Sequence, residues 1–344
     1  MRFSVLGAAG ILLTRDAFSA WGVSCSMIAL LALAAVAQIT EARVDSLANA
    51  QQFSGVILVA RNGTPLVERA YGMADREASR ANDLETSFNI GSISKLFTQI
   101  AIRQLAADGK LNLDSSLARA WPDYPNPDIA GKVTIRQILE MRSGIQGNIF
   151  AAPPGKTRHD VVSLQDYFAL FKNEPLQFEP GSKQQYSNAG YIVLGLLIER
   201  LSGENYYEYV RRHIYEPAGM AQTGSWRVDR WPANTATGYT RGGPDAALDM
   251  PLRPNSDFLP GKGSSAGGGY STAHDLLRLL NALRGHKVPN GPEVGMVGIA
   301  GGAPGLNAAV EGDLPGGYDV IVLANLDPPA AERVSRLLRT ALAP

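Results

Sequence analysis

Strand-like segments lie near both ends of this chain, and helical patterns occupy the region between them. Val56–Ala60 and Pro65–Ala70 are apolar runs, and Asn62–Gly63 between them favours the positive φ angles of a tight hairpin turn. Met296–Ile299 and Tyr318–Asn325 are typical of strands at the far end. The sequence therefore predicts an α/β fold, in which an antiparallel sheet is flanked by N- and C-terminal helices and carries a mostly helical inserted lobe.

Apolar residues recur at helical spacing through the middle of the chain. The predicted helices span residues 92–108, 134–141, 164–171, 189–201, 205–214, 271–283 and 329–342. We assign residues 42–344 to one domain. Within it, 42–110 and 265–344 are expected to form the sheet lobe, and 111–264 the helical lobe. A functional site is expected at the seam between the lobes, which is a common location for ligand pockets.

The N-terminal segment differs from the rest because residues 17–37 carry no charge. The apolar run Met27–Ala34 is followed by Ala35–Ala37, a small-x-small pattern typical of signal peptidase cleavage. Residues 1–37 are therefore predicted to be a signal peptide of a periplasmic or extracellular protein. An uncleaved membrane anchor facing the periplasm is the alternative, since the uncharged stretch is long enough to span a bilayer. Cys25, the one cysteine, lies in this segment, so the mature chain is expected to have no disulfide.

Composition narrows the range of functions. The 344 residues are 45% hydrophobic and 19% charged, as in globular enzymes, and Lys+Arg and Asp+Glu both number 32. A chain without net charge offers no argument for nucleic acid as a partner. The histidines form no pair at metal-ligand spacing, so no metal site is predicted. They are His159, His213, His274 and His286.

Ser92 and Lys95 form the first pattern that indicates chemistry. They lie three residues apart at the start of a predicted helix, where positions i and i+3 share a face. A serine hydroxyl needs a neighbouring base to become nucleophilic, and a buried lysine with a lowered pKa can serve. Alone, the pattern also fits a serine N-cap followed by a surface lysine.

Tyr186 and Asn188 form the second pattern, directly before the apolar helix at 189–201. A phenol can relay a proton between a nucleophile, a lysine and a leaving group. The asparagine amide can hold a substrate carbonyl and orient Lys95. Taken alone, the same residues are also typical of aromatic packing beside an asparagine N-cap.

Together the two patterns resemble the serine β-lactamase and penicillin-binding protein superfamily, in its class C, D-alanyl-D-alanine carboxypeptidase and esterase branch. The segments that resemble it are Phe88–Thr98, Thr134–Gly144, Tyr186–Tyr191 and Gly267–Leu276. The resemblance covers roughly residues 45 to 344. It implies an acyl-enzyme mechanism without metal or cofactor, acting on a small-molecule or peptide-like substrate. Ser92, Lys95 and Tyr186 would be catalytic, while Asn188, Gly301 and Gly302 would contact substrate.

Two departures from the family pattern leave a second function open. Ile299 stands where relatives carry the basic residue of a third motif, in the stretch Gly298–Gly305. Isoleucine cannot hold a carboxylate, although the N–H groups of Ser92 and Gly302 can still bind an oxyanion. Only about fifteen residues separate the helix at 271–283 from this strand, where relatives usually fit another strand. The chain is therefore predicted to hydrolyse an ester, amide or β-lactam-like substrate. The alternative is an impaired homologue with a binding or regulatory role in the cell envelope.

A third pattern, Gly263–Gly267, matches the G-x-S-x-G nucleophile elbow of α/β-hydrolases around Ser265. That elbow requires a buried strand before the serine and a helix after it. Residues 259–262 read as a loop instead. The α/β-hydrolase interpretation is therefore disfavoured.

Overall fold

A computed structural model describes residues 39–242 and 249–343 of the chain. Its central element is a five-stranded antiparallel sheet in the order β2-β1-β11-β10-β9. These strands are β1 (Gly55–Arg61), β2 (Thr64–Tyr71), β9 (Gly298–Ala303), β10 (Leu306–Leu314) and β11 (Tyr318–Ala324). Three two-stranded pairs complete the strands: β3 (Met73–Asp75) with β4 (Arg80–Ala81), β5 (Phe88–Asn89) with β8 (Tyr270–Ser271), and β6 (Tyr239–Thr240) with β7 (Arg253–Pro254).

Helices lie on both faces of the sheet and fill the middle of the chain. They are α1 (Glu41–Ala50), α2 (Ser94–Ala107), α3 (Leu117–Ala120), α4 (Pro127–Lys132), α5 (Ile135–Leu139), α6 (Leu164–Ala169), α7 (Asn188–Ser202), α8 (Tyr206–Val210), α9 (Glu216–Ala218), α10 (Ala273–Arg284) and α11 (Ala330–Leu342). A π-helical turn at Arg211–Tyr215 joins α8 to α9. The predicted α/β class and antiparallel sheet are confirmed.

The alternation of side chains along β1 divides the core into two clusters. Val56 and Leu58 point toward α2, α7 and the other helices of the middle region, whereas Ile57 and Val59 point toward α1 and α11. Successive strand residues face opposite sides of a sheet, so an unbroken apolar run indicates burial on both faces. The first cluster lies on the side of the sheet that carries the candidate site.

Local sequence signals account for the elements that were predicted well. Asn62 and Gly63 take φ angles of 50° and 76° in the β1–β2 turn, as the hairpin interpretation requires. Helix α7 begins after Ser187, whose hydroxyl accepts from the Gly190 N–H at 2.9 Å, and it ends at Gly203 with a left-handed φ of 74°.

Two predictions at the C-terminal end were wrong in detail, and one strand was missed. Val294–Met296 is a 3₁₀ turn, and the strand begins later, at Gly298. Ser271 belongs to β8, so the next helix starts only after Thr272, whose hydroxyl accepts from the Asp275 N–H at 3.1 Å. Strand β10 was not predicted at all. Its alanines, glycine and acidic residues have low β-propensity, and pairing with β9 and β11 on its two sides outweighs that preference.

Several predictions remain outside what this fold tests. The signal peptide or anchor at residues 1–37, with Cys25, lies outside the described residues. Residues from Ile39 onward form one compact unit, so the division into lobes at 110/111 and 264/265 stays a prediction. Among the described helices, none combines the length and apolar character needed to cross a membrane.

Candidate active site

Ser92 lies on a tight turn between β5 and α2. A 3₁₀ turn spans Gly91–Ile93, and α2 begins at Ser94, two residues later than predicted. Gly91 has a φ of 50°, and its N–H donates to Asn89 Oδ1 at 3.0 Å. Ile93 is fully buried beneath the turn, so Ser92 is held at the surface of the core with its hydroxyl directed into a cleft.

Lys95 lies one turn along from Ser92 and is only 2% exposed. Its Nζ is 3.1 Å from Ser92 Oγ and 2.7 Å from Asn188 Oδ1, and it also donates to the carbonyl oxygen of Ala266. Burial disfavours the charged ammonium and lowers the pKa of Lys95 to about 7. A large fraction of the amine is therefore neutral near neutral pH.

Tyr186 also lies within hydrogen-bond reach of Ser92. Its Oη is 2.5 Å from Ser92 Oγ, and the residue as a whole is 53% exposed. Desolvation of the hydroxyl raises the pKa of Tyr186, although the hydrogen bond with Ser92 opposes this shift. The phenol is therefore protonated at neutral pH and can donate a proton. The Tyr186 carbonyl also accepts from Gln146 Nε2 at 3.0 Å, which fixes the segment.

The contacts around Lys95 suit a neutral amine acting as a base. A neutral amine has two N–H donors and one lone pair. The two N–H groups can go to Asn188 Oδ1 and the Ala266 carbonyl, which leaves the lone pair directed at Ser92 Oγ. Ser92 can then donate its proton to Lys95 while accepting one from Tyr186.

Gly301 and Gly302 bring strand β9 against the Ser92 turn. A Cβ built on Gly301 would lie 2.7 Å from Ser92 N, and one built on Gly91 would lie 3.1 Å from Gly302 N. Ala303 pairs with Leu306 across a two-residue loop, so the next pair, Gly302 with Asn307, is of the non-hydrogen-bonded type. The Gly302 N–H therefore points away from β10, and it can form an oxyanion hole with the Ser92 N–H.

Ile299 occupies the third-motif position on the same strand. It faces the same side of β9 as Gly301, two residues away, and packs against the main core cluster. No lysine or histidine side chain replaces the family's basic residue along β9, whose six residues are all described. Residues 285–297, also all described, contain no further strand before β9, as the shortened sequence predicted.

The segment 263–269 contributes a contact that sequence reasoning missed. The Ala266 carbonyl accepts from Lys95, and a Cβ on Gly267 would lie 3.2 Å from the Gly91 carbonyl oxygen. Ser265, the supposed elbow nucleophile, is fully buried and donates to the Tyr191 carbonyl at 2.8 Å, so the α/β-hydrolase interpretation is excluded. The run of three glycines at 267–269 predicts a close backbone approach near the site, so only the contact of the Ala266 carbonyl with Lys95 was missed.

The histidines lie away from these residues. His274 contacts Glu68 and Glu85, at 2.5 and 3.2 Å, and His213 contacts Glu204 at 3.0 Å. Across residues 39–242 and 249–343, the acidic, histidine and cysteine side chains form no group of three or more able to hold a metal ion.

The family is decided by comparison with known proteins. The family model described as Beta-lactamase matches residues 36–296. The chain belongs to the β-lactamase family. The matched region includes Ser92, Lys95, Tyr186 and Asn188 and ends just before β9, so the altered third motif lies beyond it.

Relatives and solved structures of the β-lactamase family agree with this assignment. Esterase EstB of Burkholderia gladioli is 33% identical over 259 residues, which cover 67% of this chain and 65% of that protein. A penicillin binding protein from Bacillus halodurans superposes with a TM-score of 0.76 at 27% identity, covering 86% of this chain and 98% of that one. The D-amino acid amidase from Ochrobactrum anthropi SV3 has a TM-score of 0.72 at 20% identity, covering 88% and 96%, which shows a shared fold alone.

These similarities establish the fold and the family of the chain, but not its substrate. The chain has a serine-hydrolase-type fold, and its relatives include an esterase and a penicillin binding protein. It spans between 39% and 65% of the length of three curated relatives that it matches. The activity and substrate of the chain itself are therefore taken up as proposals.

Proposed function

We propose that this protein is a serine hydrolase that cleaves an ester or a small amide through an acyl-serine intermediate. One observation supports this above the others: Ser92 Oγ lies within hydrogen-bond reach of both Lys95 Nζ and Tyr186 Oη, at 3.1 and 2.5 Å. Nucleophile, base and proton relay thus converge on one atom, and this convergence is the geometry that acyl transfer requires.

The proposed acylation step begins with loss of the Ser92 proton. Lys95 accepts it on its lone pair, and Ser92 Oγ forms a bond to the substrate carbonyl carbon. The N–H groups of Ser92 and Gly302 bind the resulting oxyanion. Collapse breaks the bond to the leaving group, which takes a proton from Tyr186, and Tyr186 regains one from Lys95.

Deacylation repeats the sequence with water as the nucleophile. Water attacks the acyl carbonyl carbon and gives its proton to Lys95, with Tyr186 as relay. Collapse of the second tetrahedral intermediate breaks its bond to Ser92 Oγ and releases the acid, and Ser92 Oγ takes back the proton held by Lys95. Asn188 orients Lys95 through the 2.7 Å hydrogen bond at its Oδ1 and presents its amide to the substrate.

The replacement of the basic third-motif residue favours uncharged substrates. Ile299 offers neither charge nor a hydrogen bond to a substrate carboxylate, so tight recognition of a carboxylate-bearing β-lactam is not expected. The same observation supports the second candidate function, an impaired homologue that binds ligands in the cell envelope without turnover.

Labelling with a fluorophosphonate probe separates the two candidates. We expect the wild-type protein to be labelled, because the probe reacts with an activated serine. Ser92→Ala should reduce labelling by at least about 1,000-fold, as loss of a nucleophile does in related mechanisms. Ser182→Ala is the matched control, since Ser182 is exposed and bonds only the Glu179 carbonyl.

Each outcome of the labelling experiment has a clear meaning. Labelling of wild type and Ser182→Ala but not of Ser92→Ala supports the hydrolase. Absence of labelling in a folded wild-type protein would contradict it and favour the binding homologue. Equal labelling of wild type and Ser92→Ala would assign the reactive residue elsewhere.

A further inference from the structure

The cleft beside Ser92 is lined by neutral side chains. Among the described residues that line it there is no Lys, Arg, His, Asp or Glu. Its apolar walls are formed by Ile149, Phe150, Phe258, Leu259, Ala303 and Leu306. A carboxylate placed there would lose its hydration without gaining a counter-charge, which is strongly unfavourable.

Three cations contact residues that line this cleft. Arg158 donates to the Phe258 carbonyl at 3.0 Å, from behind the wall. Arg253 lies over the ring of Phe258, 5.4 Å from its centroid, and is 3.6 Å from the Asp257 carboxylate. Lys95 lies beneath the nucleophile, and its Nζ is engaged with Ser92 Oγ, Asn188 Oδ1 and the Ala266 carbonyl. None of the three cations lines the cleft itself.

Phe150 leaves apolar surface uncovered at the mouth of this cleft. It is 47% exposed, whereas Ile149 beside it is buried. A large exposed apolar side chain bordering a concave site is typical of ligand-binding surfaces. A bound apolar group would cover Phe150 and the partly buried ring of Phe258.

The position of Tyr186 indicates which half of a substrate occupies the cleft. Ser92, Asn188 and Gly302 line it, but Tyr186 does not, and Tyr186 is half exposed to solvent. Since Tyr186 is the proton donor to the leaving group, the leaving group departs toward solvent. The acyl group is then directed into the cleft.

We infer that this cleft binds an uncharged, apolar acyl group and that Phe150 and Phe258 determine the preference. The inference rests on the proposed hydrolase activity for its kinetic consequences but not for binding. It predicts that substrates are esters or amides of uncharged apolar carboxylic acids, and that an anionic substituent on the acyl chain is rejected.

The kinetic test varies the acyl group while keeping p-nitrophenol as the leaving group. From acetate to hexanoate we expect kcat/KM to rise about fourfold per methylene until the cleft is filled. The p-nitrophenyl monoester of adipic acid, which has the hexanoate chain length and a terminal carboxylate, should react at least about tenfold more slowly than hexanoate.

Variants of the wall residues make the test specific. Phe150→Ala and Phe258→Ala should each reduce the gain per methylene, so that hexanoate loses more than acetate. Phe150→Arg, at a half-exposed position, should lower the hexanoate-to-adipate ratio by at least about tenfold by supplying a cation. Leu66→Ala is the control, because Leu66 is exposed on β2 and leaves the ratio at its wild-type value.

A binding measurement keeps this inference separate from the proposed function. Ligand-observed NMR on Ser92→Ala would compare hexanamide with the singly charged adipic monoamide. If hexanamide binds more tightly and Phe150→Ala weakens it, the inference stands even when wild type shows no hydrolysis. A wild-type enzyme that prefers the adipate ester would overturn the inference and leave the hydrolase intact. Failure of Ser92→Ala to bind hexanamide, or equal binding of both amides, would also overturn it.

Discussion

At the scale of single residues, burial lowers the pKa of Lys95, so its amine can act as a base. Its amine is 2% exposed and accompanied by uncharged acceptors, and the rings of Tyr186 and Tyr191 have their centroids 4.8 and 5.5 Å from Nζ. The pKa of Lys95 falls to about 7 because the ammonium ion is poorly solvated there. A functional lysine of this kind destabilises the fold at neutral pH.

The lowered pKa predicts how stability depends on pH. From about pH 7 to about 10.5, the unfolded chain binds a proton at Lys95 that the folded chain does not, so the stability of the wild type rises with pH. Lys95→Met removes this dependence. From pH 7 to pH 10 the wild type should gain about 3 to 4 kcal/mol relative to Lys95→Met, measured by urea unfolding.

At pH 7 we expect Lys95→Met to be the more stable protein, by roughly 1 to 3 kcal/mol after its loss of hydrogen bonds to Asn188 and Ala266. Lys110→Met is the control, and its difference from wild type should stay flat because Lys110 is exposed to solvent. A flat difference for Lys95→Met as well would show that the amine remains charged in the folded state.

At the scale of elements, the approach of β9 to the Ser92 turn depends on glycine. The ideal Cβ of Gly301 would lie 2.3 Å from the Ile90 carbonyl oxygen and 2.7 Å from Ser92 N. Both neighbours are backbone atoms, so neither can move aside as a flexible side chain would. Any larger residue must push the strand away from the nucleophile.

Gly301→Ala is therefore expected to displace the Gly302 N–H from the oxyanion position. Loss of one such donor typically reduces kcat by about 100- to 1,000-fold, and we expect a loss of this size. Gly298→Ala on the same strand is the matched control, since its Cβ would have no atom within 4 Å among the described residues. Equal activity of the two variants would argue that β9 contributes no oxyanion donor.

At the scale of the whole molecule, the central sheet separates two cores. The larger core supports Ser92 and Lys95 through α2, whereas the smaller core lies between the sheet and helices α1 and α11. Leu338 of α11 is fully buried in the smaller core, on the side of the sheet away from the site. A substitution in the smaller core should therefore lower the stability of the protein without changing its activity.

Leu338→Ala should reduce the free energy of unfolding by about 2 to 5 kcal/mol, through lost burial and a residual cavity. Thr340→Ala, at an exposed position of the same helix, should change it by less than about 0.5 kcal/mol. Chemical denaturation measures both values. Fluorophosphonate labelling of folded Leu338→Ala should proceed at the wild-type rate, and a slower rate would mean that the two cores are coupled.

Export of the protein, predicted from residues 1–37, stays a prediction.

Much of the structure that was predicted correctly depends on residues that are close together in the sequence. The Asn62–Gly63 turn, the cap and termination of α7 and the one-turn spacing of Ser92 and Lys95 depend on residues close in sequence. Their conformational preferences act within a few residues, so a pattern in the sequence predicts them. The resemblance to the β-lactamase family added Tyr186, which lies 94 residues from Ser92.

Only the tertiary structure decided the features that depend on distant partners. The alanine-rich β10 becomes a strand because it pairs with β9 and β11 on its two sides, and the glycine-rich β9 because it pairs with β10, not because of their own propensity. The Ala266 carbonyl reaches Lys95 across 171 residues, and the pKa of Lys95 follows from burial by the whole core. Pairing energy and desolvation are set by neighbours in space, and a single sequence does not specify which neighbours those will be.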